Sequence, residues 1–150
     1  MTLAVFDIDG TLANIDHRLD YVRTKPKNWE AFDAGIPNDR VILPVANVFR
    51  KLVNSLFCDV VLVSGRNERV RRETENWLAY QNLQGYQKLY MRKLDDYRAD
   101  DIVKDEIIDE ILVDYEKLPD MWFDDRPRVV KAVRKRGIFV FDVYQGEKDF

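Results

Sequence analysis

The chain has 150 residues, of which 46% are hydrophobic, 12% aromatic and 34% charged, a length and composition that fit one packed domain and exclude wholesale disorder. Lys and Arg number 24 against 27 Asp and Glu, a formal net charge of −3 that excludes a protein coating nucleic acid by bulk charge, though not one that recognises a strand end. A single Cys58 and a single His17 exclude an internal disulfide and a zinc site built from soft ligands, so any metal must be held by oxygen.

Met1 to Asp9 lacks the pattern of a signal peptide, and no apolar run is long enough to span a bilayer, so a cytoplasmic protein without a membrane partner is expected. Leu3 to Phe6 is a short apolar run halted by Asp7, the pattern of a buried strand. Asn14 to Arg40 then follows no sustained period. It carries Pro26, Gly35, Pro37, the aromatics Tyr21, Trp29 and Phe32 and mixed charges, and is expected to be a small insertion after the first strand. Beyond Pro44, Val45, Phe49, Leu52, Val53 and Leu56 share a helical face. Val60 to Val63 is a second strand that stops at Ser64-Gly65, and Val70, Trp77 and Leu78 mark a second helix. Leu89 to Met91 is a weaker strand candidate, followed by a helix marked by Ile102, Val103, Ile107, Ile108 and Ile111. Trp122-Phe123 stops at Asp124-Asp125; Val129, Val130 and Val133 follow Pro127 as a fourth helix; Ile138 to Phe141 stops at Asp142. Strands alternating with helices predict an α/β fold with a doubly wound parallel sheet, its function at the carboxyl ends of the strands. One domain over residues 1–150, with the insertion at 14–40, accounts for the whole chain. Charge is uneven: Arg126 to Arg136 has six bases and no acid, and Asp95 to Glu110 has eight acids and two bases. Both runs read as solvated helix faces, the basic one alternatively as a rim for an anionic ligand.

Val5-Phe6-Asp7-Ile8-Asp9-Gly10-Thr11-Leu12 is the strongest chemical signal. Two carboxylates this close at a strand end repel, and a hard divalent cation such as Mg²⁺ compensates them most simply. Val63-Ser64-Gly65-Arg66 places a small hydroxyl and the Gly65 backbone where an oxyanion could be held, or Ser64 is only a helix cap. Asp124-Asp125, before Arg126, suggests a nearby cation or a cap for the helix opened by Pro127. Lys104 lies in an acidic, apolar-striped helix, where a surface ion pair is the alternative to a site role.

In this order the signals resemble the haloacid dehalogenase superfamily of phosphotransferases. More closely, they resemble the 3′-phosphatase domain family of bacteriophage polynucleotide kinase. The matching stretches are Asp7 to Ala13 with Arg18, Val63 to Arg66, Arg92, Arg98 to Lys104, and Asp124 to Arg126. The resemblance implies a Rossmann-like core, Mg²⁺, and an aspartyl-phosphate on Asp7. It assigns proton transfer to Asp9, whose carboxyl must first be protonated, as negative surroundings would favour. Asp7, Asp9 through its backbone carbonyl, Asp124 and Asp125 would form the metal site, with Asp124 the favoured direct ligand. Ser64 and Lys104 would hold the transferring oxygens, Thr11 would fix the loop or assist Asp9, and Gly65, Arg18, Arg66 and Arg92 would bind the substrate.

No Gly-Lys pair occurs, so the kinase motif of the bifunctional relatives is missing and a free-standing phosphatase half is expected. The implied substrate is a 3′-phosphorylated DNA or RNA end, with no obligate protein partner and, if the chain is phage-encoded, the host cytoplasm as its location. The small insertion leaves the site lightly covered, and Tyr21, Trp29 and Phe32 either stack on a base or pack the insertion onto the core. A phosphatase for free nucleotides or other small phosphoesters is the second reading. A non-enzymatic receiver-like phosphoacceptor is the third, and the position of Asp7 and Asp9 on the first strand argues against it.

Overall fold

Leu3, Ala4, Val5 and Phe6 are buried on both sides of their strand, as a central parallel strand requires. The computed structural model describes residues 1–146; the last residues of the expected domain, 147–150, lie outside the described residues. In chain order the elements are β1 (Thr2–Phe6), β2 (Ala13–Asn14), α1 (Asp20–Arg23), α2 (Trp29–Ala34), β3 (Arg40–Val41), α3 (Leu43–Val53) and β4 (Cys58–Asn67). They continue with α4 (Arg71–Tyr80), β5 (Leu89–Arg92), α5 (Asp100–Tyr115), β6 (Met121–Asp124), α6 (Pro127–Lys135) and β7 (Phe139–Asp142). Five strands form one sheet in the order β5-β4-β1-β6-β7, every neighbouring pair parallel. This is the doubly wound Rossmann-like α/β architecture. The chain winds outward from β1 through β4 to β5, then returns to β6 on the other side of β1. The direction reverses between β1 and β6, where a crevice opens at the carboxyl ends of the strands.

Each face of the sheet has its own core. Phe6, Leu62 and Leu89 pack with Ala46 and Phe49 of α3 and Trp77 and Leu78 of α4. Leu3, Val5, Val61, Val63 and Trp122 pack with Ile107, Ile108 and Ile111 of α5 and Val129, Val130 and Val133 of α6. Across the first face runs an aromatic ladder: Phe6 stacks on Phe123 at 4.2 Å, and Phe123 on Phe141 at 4.7 Å. These are the register pairs of β1 with β6 and of β6 with β7. Side chains on one sheet face interlock in this way, so the ladder pins the register one residue before Asp7 and Asp124.

The two charge runs are each other's partners. Arg126 pairs with Asp100, Arg128 with Asp101 at 3.5 Å, and Arg136 with Asp105 and Asp109, each at 2.9 Å. They lace α6 to α5, so three of the six bases of the run, Arg126, Arg128 and Arg136, are paired within the fold.

The structure differs from the sequence expectation at several points. β4 does not stop at Ser64-Gly65: pairing with β5 shifts register between Ser64 and Asn67 and resumes at Asn67 with Arg92, an irregularity that lets the strand continue. Val70 lies in a 3₁₀ turn before α4, and Leu56 lies past the end of α3, almost fully exposed. Ile102 is also exposed, while its neighbours on α5 are buried. The segment without a period contains two short helices and is entered and left through one antiparallel pair, Ala13 with Val41 and Asn14 with Arg40.

Phe6 is fully buried between Phe49, met edge-on at 5.3 Å, and Phe123. Phe6→Ala should therefore destabilise the fold by about 3–5 kcal/mol, measured as a lowered urea midpoint.

Candidate active site

The loop after β1 is closed by its own backbone. Ile8 carbonyl oxygen accepts from the amides of Thr11, Leu12 and Ala13, and Gly10 N–H donates to the Ala13 carbonyl. Ile8 goes to the core while Asp7 and Asp9 stay at the crevice. Gly10 is required here twice over: its φ is +82°, and a Cβ would overlap the Asp125 carboxylate. The loop is thus built around the acid pair at the end of β6.

Asp7, Asp124 and Asp125 each bring a carboxylate oxygen within 4.8 Å of the other two. Parallel register explains this, because Phe6 pairs with Phe123 and the next residue on each strand is an acid. Lys104 comes from α5 and donates from Nζ to Asp7 Oδ1 and to Asp124 Oδ2, both at 2.8 Å. Thr11 donates to Asp7 Oδ2 at 2.9 Å, and Trp122 Nε1 donates to Asp124 Oδ2 at 3.2 Å. Burial, and after it the charge of Asp124, push the Asp7 carboxyl well above the usual carboxylate range, with Lys104 opposing. Asp125 is raised for the same reasons, burial first and then Asp124. Burial works against the charge of Lys104, but Asp124 and Asp7 outweigh it and hold the ammonium above the ordinary lysine value. One ammonium against three carboxylates leaves negative charge uncompensated. The donor set is all oxygen and fits a hard divalent cation held by Asp7, Asp124 and Asp125.

Asp9 faces the other way, into cationic surroundings. Arg66 donates to Asp9 Oδ1 from Nη2 at 2.6 Å and from Nε at 3.0 Å, and Arg18 lies 3.5 Å away. Burial would raise the Asp9 carboxyl, but Arg66, then Arg18 and Lys104, bring it below the ordinary value. The expectation of negative surroundings that keep Asp9 protonated is therefore corrected: this geometry holds it ionised.

Arg18 and Arg66 are themselves buried, and both converge on Asp39. Arg18 donates to it from Nε at 2.8 Å and Nη2 at 2.9 Å, Arg66 from Nη2 at 3.0 Å, and His17 Nε2 lies 2.7 Å from Oδ1. Thr74 takes a further Arg66 bond at 3.1 Å, and Trp77 Nε1 donates to the Asp39 carbonyl at 2.9 Å. Sequence reasoning missed Asp39. Two buried arginines require a counter-charge, but the insertion offers several acids and spacing does not choose among them.

Ser64 lies just past the last register pair of β1 with β4, beside the Asp7 loop, and is buried. Its Oγ accepts from Arg66 N–H at 3.0 Å inside the irregular stretch of β4, so it is not a helix cap, since α4 begins only at Arg71. Arg92 donates to Gly65 carbonyl oxygen at 2.8 Å, to the carbonyls of Asp96 and Arg98, and to Asp100 Oδ1 at 2.6 Å. Asp100, also missed, fills the space where a Gly65 Cβ would lie. The structure thus brings Asp7, Thr11, Lys104, Asp124 and Asp125 into one cluster, Asp9, Arg18 and Arg66 into an adjoining one, and Gly65 and Arg92 into a third beside Ser64.

An aspartate at the end of the central strand, ringed by a lysine and two acids at the switch point of a parallel sheet, is the arrangement of a haloacid dehalogenase-type phosphatase. A hydrolase of that family from Streptococcus pneumoniae superposes with a TM-score of 0.68 over 95% of this chain and 84% of its own, at 13% identity, a likeness of fold. Residues 2–150 match the family model of the polynucleotide kinase PNKP phosphatase domain, and the chain belongs to that family. A viral protein of Autographa californica nuclear polyhedrosis virus, described as a bifunctional polynucleotide kinase/RNA ligase, is 30% identical over 126 residues, which are 83% of this chain and 17% of the relative. A chain of the Pnkp1/Rnl/Hen1 RNA repair complex superposes with a TM-score of 0.75 at 29% identity, covering 98% of this chain and 43% of that one. The chain therefore spans less than half the length of either relative.

Because Asp39 is the common counter-charge for two buried guanidinium groups, Asp39→Ala should destabilise the fold by about 3–5 kcal/mol, seen as a fall in thermal midpoint. Trp77 binds the backbone of Asp39 and should not share the loss of charge, so Trp77→Phe should cost clearly less.

Proposed function

We propose that the protein is a Mg²⁺-dependent phosphomonoesterase that removes the 3′-phosphate from the end of a DNA or RNA strand through a phosphorylated Asp7. The observation that carries the reading is Asp7 itself: a buried carboxylate fixed by Lys104 and Thr11, with two acids beside it and Asp9 two residues on. Family membership supports a phosphatase, and the names of the relatives point to nucleic acid repair.

Asp7 attacks phosphorus, and the bond to the leaving 3′-oxygen breaks as that oxygen takes a proton from Asp9. Water then attacks the phosphorus of the aspartyl-phosphate, Asp9 takes the proton of that water, and the carboxylate of Asp7 is released. Asp7, Asp124 and Asp125, with the backbone carbonyl of Asp9, would hold a divalent cation, which would supply the positive charge that lets two anions meet. Lys104, Ser64 and the Gly65 backbone bind the transferring oxygens, where charge develops. Arg18 and Arg66 receive the incoming phosphate. As they turn toward it, their hold on Asp9 weakens and its carboxyl rises toward the protonated form needed for the first step. Arg92 acts from behind, fixing Gly65 and Asp100.

The insertion supports a polymer substrate. Its two helices have four and six residues, too little to enclose a small metabolite completely. Phosphate release from matched 3′- and 5′-phosphorylated oligonucleotides with Mg²⁺ tests activity, polymer use and end polarity together, and release from the 3′ end alone is expected. Equal or better turnover of nucleoside monophosphates would assign the site to small phosphoesters.

Asp7→Asn should abolish release, and Asp9→Asn should lower it by about 10²–10⁴-fold, the usual worth of positioned proton transfer. Near-normal turnover by folded Asp7→Asn would overturn the covalent route. EDTA should stop the reaction and Mg²⁺ restore it. Independently of activity, Mg²⁺ at a hundred times its dissociation constant should add about 2.7 kcal/mol of stability, seen as a raised thermal midpoint. Asp124→Asn should lose that rise.

A further inference from the structure

The insertion carries a surface that the chemistry at Asp7 does not use. From Tyr21 to Trp29 there is no acid, and Arg23, Lys25 and Lys27 are all exposed. None of the three has an ion-pair partner among the described residues, whereas Arg69, Arg71, Arg98, Arg126 and Arg136 are all paired. Interleaved with these cations are two large aromatics that the fold leaves open, Tyr21 at 46% exposure and Trp29 at 49%. The insertion packs onto the core through Ile36, and neither Tyr21 nor Trp29 belongs to that core.

This surface is tied directly to the site. Arg18, 3.5 Å from Asp9, lies with its guanidinium 4.2 Å over the Phe32 ring and donates to the Phe32 carbonyl. Trp29 meets Phe32 edge to face at 5.7 Å. Asp33, on the same helix, is held by Arg69 at 3.0 Å, just beyond the end of β4. Trp29 is therefore three contacts from Asp9, on a helix anchored to the crevice at two points. Lys27 lies 5.5 Å over the Trp29 ring, so the cation and the ring belong to one patch.

We propose that this edge of the insertion, Tyr21 and Trp29 with Arg23, Lys25 and Lys27, binds the nucleotides that precede the terminal phosphate on a single strand. The inference rests on the reading of the site as a phosphatase for nucleic acid ends, and adds where the strand runs and what distinguishes it from a mononucleotide. The chemistry is that of single-strand recognition: cations follow the phosphates, and rings stack on bases of any sequence. A duplex keeps its bases stacked on one another and offers the rings nothing, so the surface selects unpaired ends. The basic run on α6 is a poorer candidate for the strand, because three of its six bases, Arg126, Arg128 and Arg136, are already paired to α5 and it carries no aromatic side chain.

The test has a binding arm and a kinetic arm. Binding of a short labelled single strand ending in a 3′-hydroxyl is followed by fluorescence anisotropy, against a blunt duplex of the same length. Trp29→Ala should weaken single-strand binding by about tenfold, within the range found for loss of one stacked base. Trp29→Tyr should restore most of it, which a purely structural role for the indole would not require. Lys25→Glu combined with Lys27→Glu should weaken binding and flatten its dependence on salt, since fewer counterions are released. In the kinetic arm, Trp29→Ala should raise KM for a 3′-phosphorylated oligonucleotide while kcat holds, and the advantage of that substrate over a nucleoside 3′-monophosphate should shrink by about tenfold. Unchanged binding in both variants, equal losses on oligonucleotide and mononucleotide, or tighter binding of duplex than of single strand would each overturn the proposal. Failure of the wild-type protein to release phosphate from either end would overturn the reading of the site, and the anisotropy arm would still decide whether the insertion binds a strand.

Discussion

The structure turns on a concentration of like charge that water cannot relieve. Asp7, Asp124 and Asp125 converge at the end of two neighbouring strands, and a single ammonium, equally distant from Asp7 and Asp124, holds them together. Lys104 occupies a position on the core face of α5, one turn before Ile107 and Ile108 and two before Ile111, where an apolar side chain would ordinarily lie. The helix can carry a lysine there because that position lies at the open end of the sheet. Its ion pairs with α6 then fix the helix so that the ammonium meets both carboxylates. Repulsion at the site is in this way balanced by attraction elsewhere along the same helix.

A second charge system adjoins the first with the opposite balance. Arg18 and Arg66 supply two guanidinium groups for two carboxylates, Asp9 and Asp39. Asp9 is shared between the two systems: its backbone follows the loop of Asp7, while its side chain belongs to the arginines. Two acids only two residues apart consequently have opposite electrostatic environments, Asp7 pushed up and Asp9 held down.

Much of this was legible in the sequence because it is local. A four-residue apolar run ending in Asp-Ile-Asp-Gly-Thr states both a strand and what stands at its end, and Trp122-Phe123-Asp124-Asp125 does the same for the neighbour. The α5 stripe placed Lys104 among apolar residues, though not which way it faces. The unread parts depend on partners far apart in the chain. Asp39 acquires its meaning only when Arg18, from the other end of the insertion, and Arg66, from β4, meet it, and Asp100 only when Arg92 and Arg126 meet it. The continuation of β4 past Gly65 is set by β5, and the environment of Asp9 by a guanidinium 57 residues further along the chain. The insertion itself was marked by its lack of a period, but no periodicity could show how it folds, since its helices are short and it is fixed by the pairing of its own Asp39 with Arg18 and Arg66.

That insertion leaves the core at Asn14 and rejoins it at Arg40, across one antiparallel pair of two-residue strands. Its ends are therefore fixed beside each other whatever lies between them. For a tether closed in this way, doubling the length adds only about 0.6 kcal/mol of closure entropy. Lengthening the exposed stretch between Arg18 and Asp39 therefore adds little cost, provided those two residues keep their places against Asp9 and Arg66. The fold thus separates two kinds of constraint: the strand ends and the pair of Arg18 and Asp39 tolerate little change, whereas the exposed stretch between those two residues could be exchanged at small thermodynamic cost.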